Sequence, residues 1–247
     1  MKEKYAIQEQ QYEFPYHYLP HFNKEGVGVK KRHLYWGFKY LCYLAHITKK
    51  ITELQPKSVL DVGCGEGRLL NNLPDSIPNK VGVDTSKRAI TFAQAFASSA
   101  HFQAIDAAKL DEQYDVVVAM EVLEHIPDEE VSGFLQVLAT RTRNGGTVII
   151  SVPSVVQPLQ EKHYRHYNAS LFTQQLESSG ASLQISNFTY VYRESVLVKL
   201  YNKIFDNRWW YLEISFLNKL IWRHIEKSCL YTSEAHGHDM VVTLTKK

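Results

Sequence analysis

The stretch SVLDVGCGEG, residues 58–67, decides the fold. It begins as an apolar run, ends in three glycines at alternate positions, and leads into a sequence of helical character that starts near Glu66. The pattern predicts a buried strand, a tight turn and a helix. Glycine has no Cβ, so the turn can take positive φ and a ligand can approach its backbone closely, while a helix N-terminus offers N–H donors. The stretch therefore predicts a cradle for a small ligand.

An acidic residue follows the next predicted strand. The run KVGV, residues 80–83, leads directly to Asp84, at about the offset of 20 residues at which a carboxylate meets ribose hydroxyls in Rossmann-like sites. One carboxylate can accept hydrogen bonds from both hydroxyls. Asp84 could instead cap the helix predicted from Ser86, but the glycine turn that precedes it favours the ribose role.

The glycine spacing identifies a family. It is G-x-G-x-G preceded by Asp61, and differs from the dinucleotide fingerprint G-x-G-x-x-G. With these residues the chain resembles the class I S-adenosylmethionine-dependent methyltransferases, whose first motif is D-V-G-C-G-x-G, over roughly residues 33–192. The resemblance implies an α/β fold with a Rossmann-like, seven-stranded, mostly parallel doubly wound sheet and an antiparallel last strand. It also implies S-adenosylmethionine as cofactor and S-adenosylhomocysteine as product.

The pattern beyond Asp84 agrees with such a sheet. Strands are predicted at residues 101–105, 114–120, 147–152, 182–191 and 239–245, with helices from Ser86, Asp128 and Asn168 between them. Strands that alternate with helices indicate a parallel doubly wound sheet. Ligands of such sheets lie at the carboxyl ends of the strands, where the glycine turn, Asp84, Asp106 and Glu121 all fall.

The resemblance implies a set of cofactor-binding residues. They are Asp61, Gly63, Cys64, Gly65, Gly67, Asp84, Thr85, Asp106, Ala107, Met120 and Glu121, with His33 as a further candidate beside Arg32 and Tyr35. The last three begin the helix that precedes the first strand in the family, and a solvated basic turn is the alternative interpretation for them.

Histidines are the candidate catalytic residues. Methyl transfer from a sulfonium is an in-line displacement, but a hydroxyl acceptor also needs a positioned base or a metal. Histidine is the usual base at neutral pH. The candidates are His125, in the sequence EVLEHIP, and His163 and His166, in the loop of residues 153–167. Each of them could also be a structural loop histidine.

A metal site is the alternative. The order Glu121, Glu124, His125 and a later histidine resembles two branches of the family: ubiquinone-biosynthesis O-methyltransferases, and small-RNA 3′-terminal 2′-O-methyltransferases, in which such residues bind a divalent metal. Glu121, Glu124, His125 and His163 would be the ligands. EVLEHIP also occurs in methyltransferases that use no metal, and HYRHY replaces the H-x-F-E-W form of the RNA branch.

We therefore expect a hydroxylated small-molecule or saccharide (glycan-like) acceptor, with metal-dependent methylation of RNA ribose as the alternative. A non-catalytic scaffold that only binds the cofactor is a third hypothesis. The histidines clustered in residues 163–166 argue against the scaffold, because a scaffold needs no such cluster at the mouth of the site.

Two segments extend the family domain. Residues 1–32 form an aromatic arm, expected to serve as a strap over the core or as a lid on the acceptor site, and residues 33–247 form the domain. Residues 194–231 are a helical insertion before the last strand that carries Trp209, Trp210 and Trp222. We expect it to pack over the active-site mouth or in a homodimer interface, with an amphipathic membrane-surface role as the alternative.

Composition sets outer bounds. The chain has 247 residues, 45% of them hydrophobic, so it can bury a full core. Its 28 basic and 26 acidic residues nearly balance, so overall charge predicts no polyanion partner. The three cysteines are widely spaced, and no apolar stretch has the length of a signal or membrane-spanning segment. We expect a cytoplasmic protein without a transmembrane segment.

Overall fold

The computed structural model describes Ile7, Glu9, Tyr12 and residues 14–31, 34–97 and 99–247. In chain order its helices and strands are β1 (His21–Phe22), β2 (Gly28–Val29), α1 (Gly37–Leu54), β3 (Ser58–Val62), α2 (Arg68–Asn72), β4 (Asn79–Val83), α3 (Lys87–Phe96), β5 (His101–Gln103), β6 (Tyr114–Met120), α4 (Asp128–Arg141), β7 (Thr142–Pro153), α5 (Ala169–Ser179), β8 (Leu183–Val191), α6 (Val196–Phe205), α7 (Ser215–Ser228), β9 (Tyr231–Thr232) and β10 (Asp239–Lys246). Short 3-10 turns occur at Tyr16–Tyr18, Ala107–Lys109 and Leu123–His125.

The central sheet confirms the predicted fold class. Its strand order is β5-β4-β3-β6-β7-β10-β8-β9. The first five strands in this order are parallel, and β10 is antiparallel to both β7 and β8. The two-residue strand β9 adds an edge beyond the seven predicted strands. Strand order reverses between β3 and β6, and ligands of doubly wound sheets bind at such a point.

The sheet buries both of its faces, as its near-continuous apolar strands require. In β6, Val116 and Val118 point to one face and pack in a cluster with residues of α1, α6 and α7. Val117 and Ala119 alternate to the other face and pack with residues of α4 and α5. The core therefore consists of two layers, one on each side of the sheet.

Some boundaries differ from the sequence predictions for local reasons. β7 begins at Thr142 instead of residue 147, and includes Gly145 at φ 75° and a register shift on β6 between Tyr114 and Val116. An irregular segment therefore continues the strand where the sequence predicted a turn. α2 is a helix of 5 residues only, and α1 starts at Gly37.

The insertion packs against the beginning of the described chain. The indole of Trp222, in α7, lies over Gly28, where a Cβ would come within 2.5 Å of Trp222 Cε3. Lys30 Nζ and Asp206 Oδ2, at the end of α6, form an ion pair of 2.5 Å in which both side chains are buried. These contacts fix α6 and α7 to the segment that precedes α1.

The division into an arm, residues 1–32, and a domain, residues 33–247, stays a prediction. In the part of the chain that the structure describes, no helix has both the length and the apolar character needed to cross a membrane.

The buried ion pair generates a stability prediction. Lys30→Met removes the cation of this buried ion pair, which should lower the unfolding free energy by roughly 3–5 kcal/mol. Lys30→Met/Asp206→Leu should recover most of this loss, because an apolar pair of similar volume needs no desolvated charge. Urea denaturation measures both.

The matched control is Lys49→Met, which breaks the exposed i,i+4 pair of Lys49 with Glu53 and should cost no more than about 1 kcal/mol. Equal losses for Lys30→Met and Lys49→Met would contradict the structural importance of the buried pair.

Candidate active site

The functional side chains meet at one edge of the sheet because the parallel strands end there together. Val62 of β3 pairs with Val83 of β4, which pairs with Gln103 of β5. On the other side, Met120 of β6 pairs with Ser151 of β7. The glycine turn, Asp84, Asp106 and Glu121 follow these strand ends, as predicted from the sequence.

The glycine turn has a left-handed backbone at its glycines and is hydrogen-bonded to the end of β4. Gly63, Gly65 and Gly67 all have positive φ, and a Cβ on Gly63 would lie 2.5 Å from Val122 Cγ2. The N–H groups of Gly63 and Cys64 donate to Val83 O at 2.8 and 3.0 Å. These two hydrogen bonds hold the turn against the end of β4, while the N–H donors predicted for a ligand belong to the start of the following helix, at Arg68.

Asp84, directly after β4, is hydrogen-bonded to the glycine turn. Its Oδ2 accepts from the Gly65 N–H at 2.9 Å and its Oδ1 from the Ser86 N–H at 2.8 Å. Burial raises its pKa, against the lowering effect of these hydrogen bonds. The helix cap is Ser86, whose hydroxyl accepts from Ala89 N–H at 3.1 Å. Because a carboxylate has about four acceptor positions, Asp84 can still receive ribose hydroxyls.

Two adjoining cavities open at this edge. The first, about 570 Å³, is lined by residues of several strand ends, among them Val62, Gly63, Val83, Asp84, Thr85, Asp106 and Ala107. The second, about 500 Å³, is lined among others by Cys64, Gly65, Met120, Glu124 and His163. The residues that line both are Tyr12, Gly63, Glu121, His125 and Lys162. Each volume suits a small ligand.

The arm contributes to the wall of the second cavity, which we call the inner cavity. Tyr12, Tyr16 and His17 line it together with Trp36 and Tyr40 of the α1 region. His17 lies 5.2 Å from Tyr40 between ring centroids. From the sequence the arm was expected to be either a strap over the core or a lid on the acceptor site. The residue pattern of the arm did not indicate which of its side chains would line a cavity.

Two charged residues of the inner cavity were missed from the sequence. Glu66 is buried, and its Oε2 accepts from the N–H and Nδ1 of His17 at 3.1 and 2.9 Å, while Oε1 has no hydrogen-bond partner among the described residues. Arg68 lies under the Tyr18 ring at 4.9 Å, and its buried Nε also lacks a described partner. Both residues line the inner cavity, so it carries one acidic and one basic side chain.

Acids and lysines line the inner cavity, namely Glu121, Glu124, Lys39 and Lys162. Lys39 Nζ donates to Asp239 Oδ1 at 2.8 Å. Burial raises the pKa of Glu121 to about 7 and that of Glu124 well above its usual range. Asp239 begins the antiparallel strand β10, which places it beside Pro153 at the carboxyl end of β7. Sequence analysis missed both Lys39 and Asp239.

Glu121 occupies a strained position. Its φ is 57°, a left-handed conformation that non-glycine residues rarely adopt. Its N–H donates to Ser151 O at 3.1 Å, and its Oε1 accepts from the Ser151 hydroxyl at 3.0 Å. Such strain costs on the order of 1–3 kcal/mol and often marks a functional position. Glu121 is also one of the residues that line both cavities.

Hydrogen bonds define the protonation of the histidines. His166 Nδ1 lies 3.0 Å from the carbonyl of Gln157, which can only accept, so this nitrogen carries the proton. His166 Nε2 then accepts from His163 Nδ1 at 2.8 Å. Because Nδ1 of His163 donates in this series of hydrogen bonds, Nε2 of its neutral ring is an acceptor. Burial and the neighbouring charges of His125 and Lys162 lower the His163 pKa to about 2, which keeps the ring neutral.

Three of the four predicted metal ligands lie together. Atoms of Glu124, His125 and His163 all lie within 4.8 Å of one another. His125 Nδ1 is 3.2 Å from the carbonyl of Lys162, so Nδ1 carries a proton. Two imidazoles and a carboxylate are ligands that a divalent transition metal accepts. Glu121 lies outside this group.

The other predicted residues are placed as follows. Asp61 is buried and is not among the residues that line the two cavities. Gly67 packs against the Phe102 ring. His33 and Arg32 lie outside the described residues, and the Tyr35 side chain is exposed. Burial raises the pKa of the Cys64 thiol well above its usual range, so this cysteine fills the turn and does not act as a thiolate.

Comparison with known proteins agrees with this geometry. A family model described as a methyltransferase domain matches residues 35–234. The ubiquinone biosynthesis O-methyltransferase of Aeromonas salmonicida (strain A449) is 35% identical over 113 residues, 42% of this chain and 47% of that protein. The enzyme of that name from Rickettsia bellii (strain OSU 85-389) is 33% identical over 118 residues, 44% and 48% of the two chains. The chain spans about half the length of the curated relatives it matches.

Solved structures share the fold. The magnesium protoporphyrin IX methyltransferase from Synechocystis PCC 6803 with bound SAH has a TM-score of 0.58 and 16% identity, with 89% of this chain and 90% of that chain covered. The methyltransferase domain of bacterial CtHen1-C has a TM-score of 0.56 and 19% identity, with 83% and 96% covered. At these identities the likeness concerns the fold alone.

Asp61 generates a prediction on pH and stability. Neither of its carboxylate oxygens has a described hydrogen-bond partner, and burial, with a smaller effect of Asp84, raises its pKa to about 7. An unfolded aspartate titrates near pH 4, so between roughly pH 4 and 7 the folded state binds more protons. The unfolding free energy should therefore fall as pH rises through this range and level off above it.

Asp61→Asn should remove this contribution, so the variant gains on the order of a few kcal/mol relative to the wild type between pH 4 and pH 8. Urea denaturation at a series of pH values measures the difference, with the exposed Asp111→Asn as control. Parallel pH profiles for wild type and Asp61→Asn would contradict the raised pKa.

Proposed function

Because the chain belongs to the methyltransferase-domain family, as its sequence resemblance predicted, we propose that it transfers a methyl group from S-adenosylmethionine to a hydroxyl of a small-molecule or glycan-like acceptor. One observation carries the proposal: two adjoining cavities at the carboxyl edge of the sheet meet at Gly63 and Glu121. One cavity suits a nucleoside, and the other holds acids and histidines.

The first cavity would hold the adenosine. Asp84 would accept the ribose hydroxyls, and Asp106 and Ala107 would lie at the adenine, as the resemblance implies. The methionine end would reach the inner cavity, where Glu66 Oε1 is available for the ammonium group and Arg68 for the carboxylate. These opposite charges match a zwitterion. Bound there, the cofactor would supply an electrophilic methyl group on its sulfonium.

The residues of the chain would align the acceptor. In-line displacement at carbon needs alignment and exclusion of water more than chemical activation. The aromatic side chains of Tyr12, Tyr16 and Trp36 form a wall of the inner cavity, and this wall suits both tasks. The acceptor hydroxyl would then lie beside Glu121, His125 and His163.

We assign the acceptor proton to Glu121. Glu121 lines both cavities, and the methyl group would be transferred where they meet. Its pKa near 7 also suits a general base at neutral pH. His163, as a neutral acceptor, and the neighbouring His125 would hold the hydroxyl in place. A histidine base, predicted from the sequence, is the alternative that the same variants test.

A divalent metal is a second candidate, favoured by the grouping of Glu124, His125 and His163. A metal bound by these three residues would acidify an acceptor hydroxyl. Nothing in the site adds support for RNA ribose as the acceptor, and the HYRHY sequence at residues 163–167 departs from that branch.

The ribose assignment predicts a loss of affinity in Asp84→Ala. Loss of charged hydrogen bonds to two hydroxyls should weaken S-adenosylhomocysteine binding by on the order of 2–4 kcal/mol, measured by calorimetry. Because Asp84 also accepts from Gly65 N–H, its replacement could weaken binding by disturbing the turn instead of by removing a contact with the ribose. An analogue of S-adenosylhomocysteine that lacks the ribose hydroxyls distinguishes the two effects.

Wild type should bind this analogue weakly, and Asp84→Ala should bind both ligands with nearly equal affinity. Asp111→Ala, an exposed control, should behave as wild type. If removal of the hydroxyls weakens binding equally in wild type and in Asp84→Ala, Asp84 does not contact the ribose.

The base assignment predicts a loss of turnover in Glu121→Gln. Removal of a general base should lower turnover by about a hundred- to ten-thousand-fold with cofactor affinity retained. The assay is transfer of tritiated methyl from S-adenosylmethionine to small-molecule and RNA fractions of a cell lysate. Label is expected in the small-molecule fraction, and label confined to RNA would favour the alternative.

The same assay distinguishes the mechanisms. If a metal acts, chelator should abolish transfer, and Glu124→Ala, His125→Ala and His163→Ala should each have the same effect. If chelator has no effect and Glu121→Gln keeps full activity while His125→Ala or His163→Ala loses it, a histidine is the base. Cofactor binding without transfer to any fraction would support the scaffold hypothesis.

A further inference from the structure

Exposed apolar side chains are concentrated in the insertion. Of the 18 large hydrophobic side chains exposed in the described part of the chain, 10 lie within residues 196–220. We call these ten the outer apolar patch: Val196, Leu197, Leu200, Ile204, Trp209, Trp210, Leu212, Ile214, Phe216 and Leu220. Val196 is 83% exposed, Trp209 76% and Phe216 66%. A concentration of this kind marks an interaction surface.

Helix α6 is apolar on two sides. Val198 and Asn202 are buried against the domain, while Val196, Leu200 and Ile204, spaced four residues apart, form a stripe on the outside. Packing of the domain explains the inner side only. The outer stripe stays exposed in the described structure and is accessible to another molecule.

The loop between α6 and α7 presents its tryptophans in an ordered turn. Asn207 Oδ1 accepts from the backbone N–H groups of Trp209 and Trp210 at 2.9 and 3.3 Å. The indole of Trp210 donates to Ile204 O at 2.8 Å. Trp209 packs only against the Arg208 guanidinium, 5.5 Å from its ring, among the described contacts. The turn thus holds an almost fully exposed indole outward.

The patch is fixed rigidly to the domain. The buried ion pair of Lys30 and Asp206 lies at the base of the turn, and the Tyr211 hydroxyl donates to Lys30 O at 2.8 Å. Because the base is anchored, the outer apolar patch cannot fold back to bury itself without breaking this pair.

The charges beside the patch are positive. Lys199, Lys203 and Arg208 are exposed, and no described carboxylate lies within 4 Å of them. The acids of residues 196–220 are Asp206, buried with Lys30, and Glu213, paired with Lys31 at 3.1 Å. The surface therefore combines exposed apolar side chains with three cations, Lys199, Lys203 and Arg208, that do not pair with the acids of residues 196–220.

We infer that the outer apolar patch binds the surface of an anionic phospholipid bilayer. Exposed tryptophans and an amphipathic helix flanked by lysines suit the boundary between headgroups and acyl chains, and each cation near an anionic surface contributes about 1 kcal/mol. A symmetric contact with a second copy fits less well. It would place the cations of two copies in one interface, and the two acids of residues 196–220, Asp206 and Glu213, are already paired with Lys30 and Lys31.

The experiment uses the full chain and sedimentation with vesicles. Vesicles of phosphatidylcholine with phosphatidylglycerol should bind the protein, and binding should weaken with salt, while vesicles of phosphatidylcholine alone should bind it at least about tenfold less. Val196→Ser/Trp209→Ser removes two outward side chains and should weaken binding to the anionic vesicles at least about tenfold. Leu54→Ser/Val155→Ser, a control with two exposed apolar residues elsewhere, should change it less than about twofold.

A charge reversal tests the electrostatic part. Lys199→Glu/Lys203→Glu should abolish the preference for anionic vesicles, whereas Lys49→Glu/Lys50→Glu, on the surface of α1, should keep it. The inference is overturned if the wild type does not sediment with the anionic vesicles. It is also overturned if ultracentrifugation shows a dimer that Val196→Ser/Trp209→Ser dissociates, because the patch would then belong to a second copy.

Discussion

Desolvation of carboxylates at one edge of the sheet is the constraint on which the site depends. Burial raises the pKa of every acid in this set: Asp61, Asp84, Glu121, Glu124 and Asp239. Each is costly to ionise in the folded protein, so the set opposes folding at neutral pH. Proteins accept such a cost at functional positions. The proposed cofactor, with its sulfonium and ammonium groups, would bring positive charge to the acids.

Ion pairs and hydrogen bonds offset part of this cost. Lys39 donates to Asp239, and its charge also favours ionised Glu121. Asp84 accepts from two backbone N–H groups, whereas Asp61 has no described partner. The two acids beside the glycine turn therefore differ in role: Asp84 joins the turn to β4, and Asp61 keeps an uncompensated polar group beneath it.

Sequence patterns predicted the structure reliably where a residue determines the conformation of the backbone next to it. The helix predicted from Asn168 is found as α5, with Asn168 accepting from Leu171 N–H as its N-cap and Gly180 at φ 65° as its end. The glycine turn and the strand ends were placed for the same reason. Irregular strands were not, since the bulge at Gly145 depends on pairing with β6 and not on the residues next to it.

The sequence by itself determined the alternation of strands and helices, the strand that ends at the glycine turn, and the strand-end position of Asp84, because periodicity and glycine spacing act over a few residues. Only the tertiary structure decided which distant residues join them. Asp239 reaches Lys39 because β10 runs antiparallel to β7, and His17 reaches Glu66 because the arm crosses the turn. Apolar spacing likewise predicted α6, but it could not tell that Val196 stays exposed in the described structure, since periodicity reports a hydrophobic face and not its neighbours.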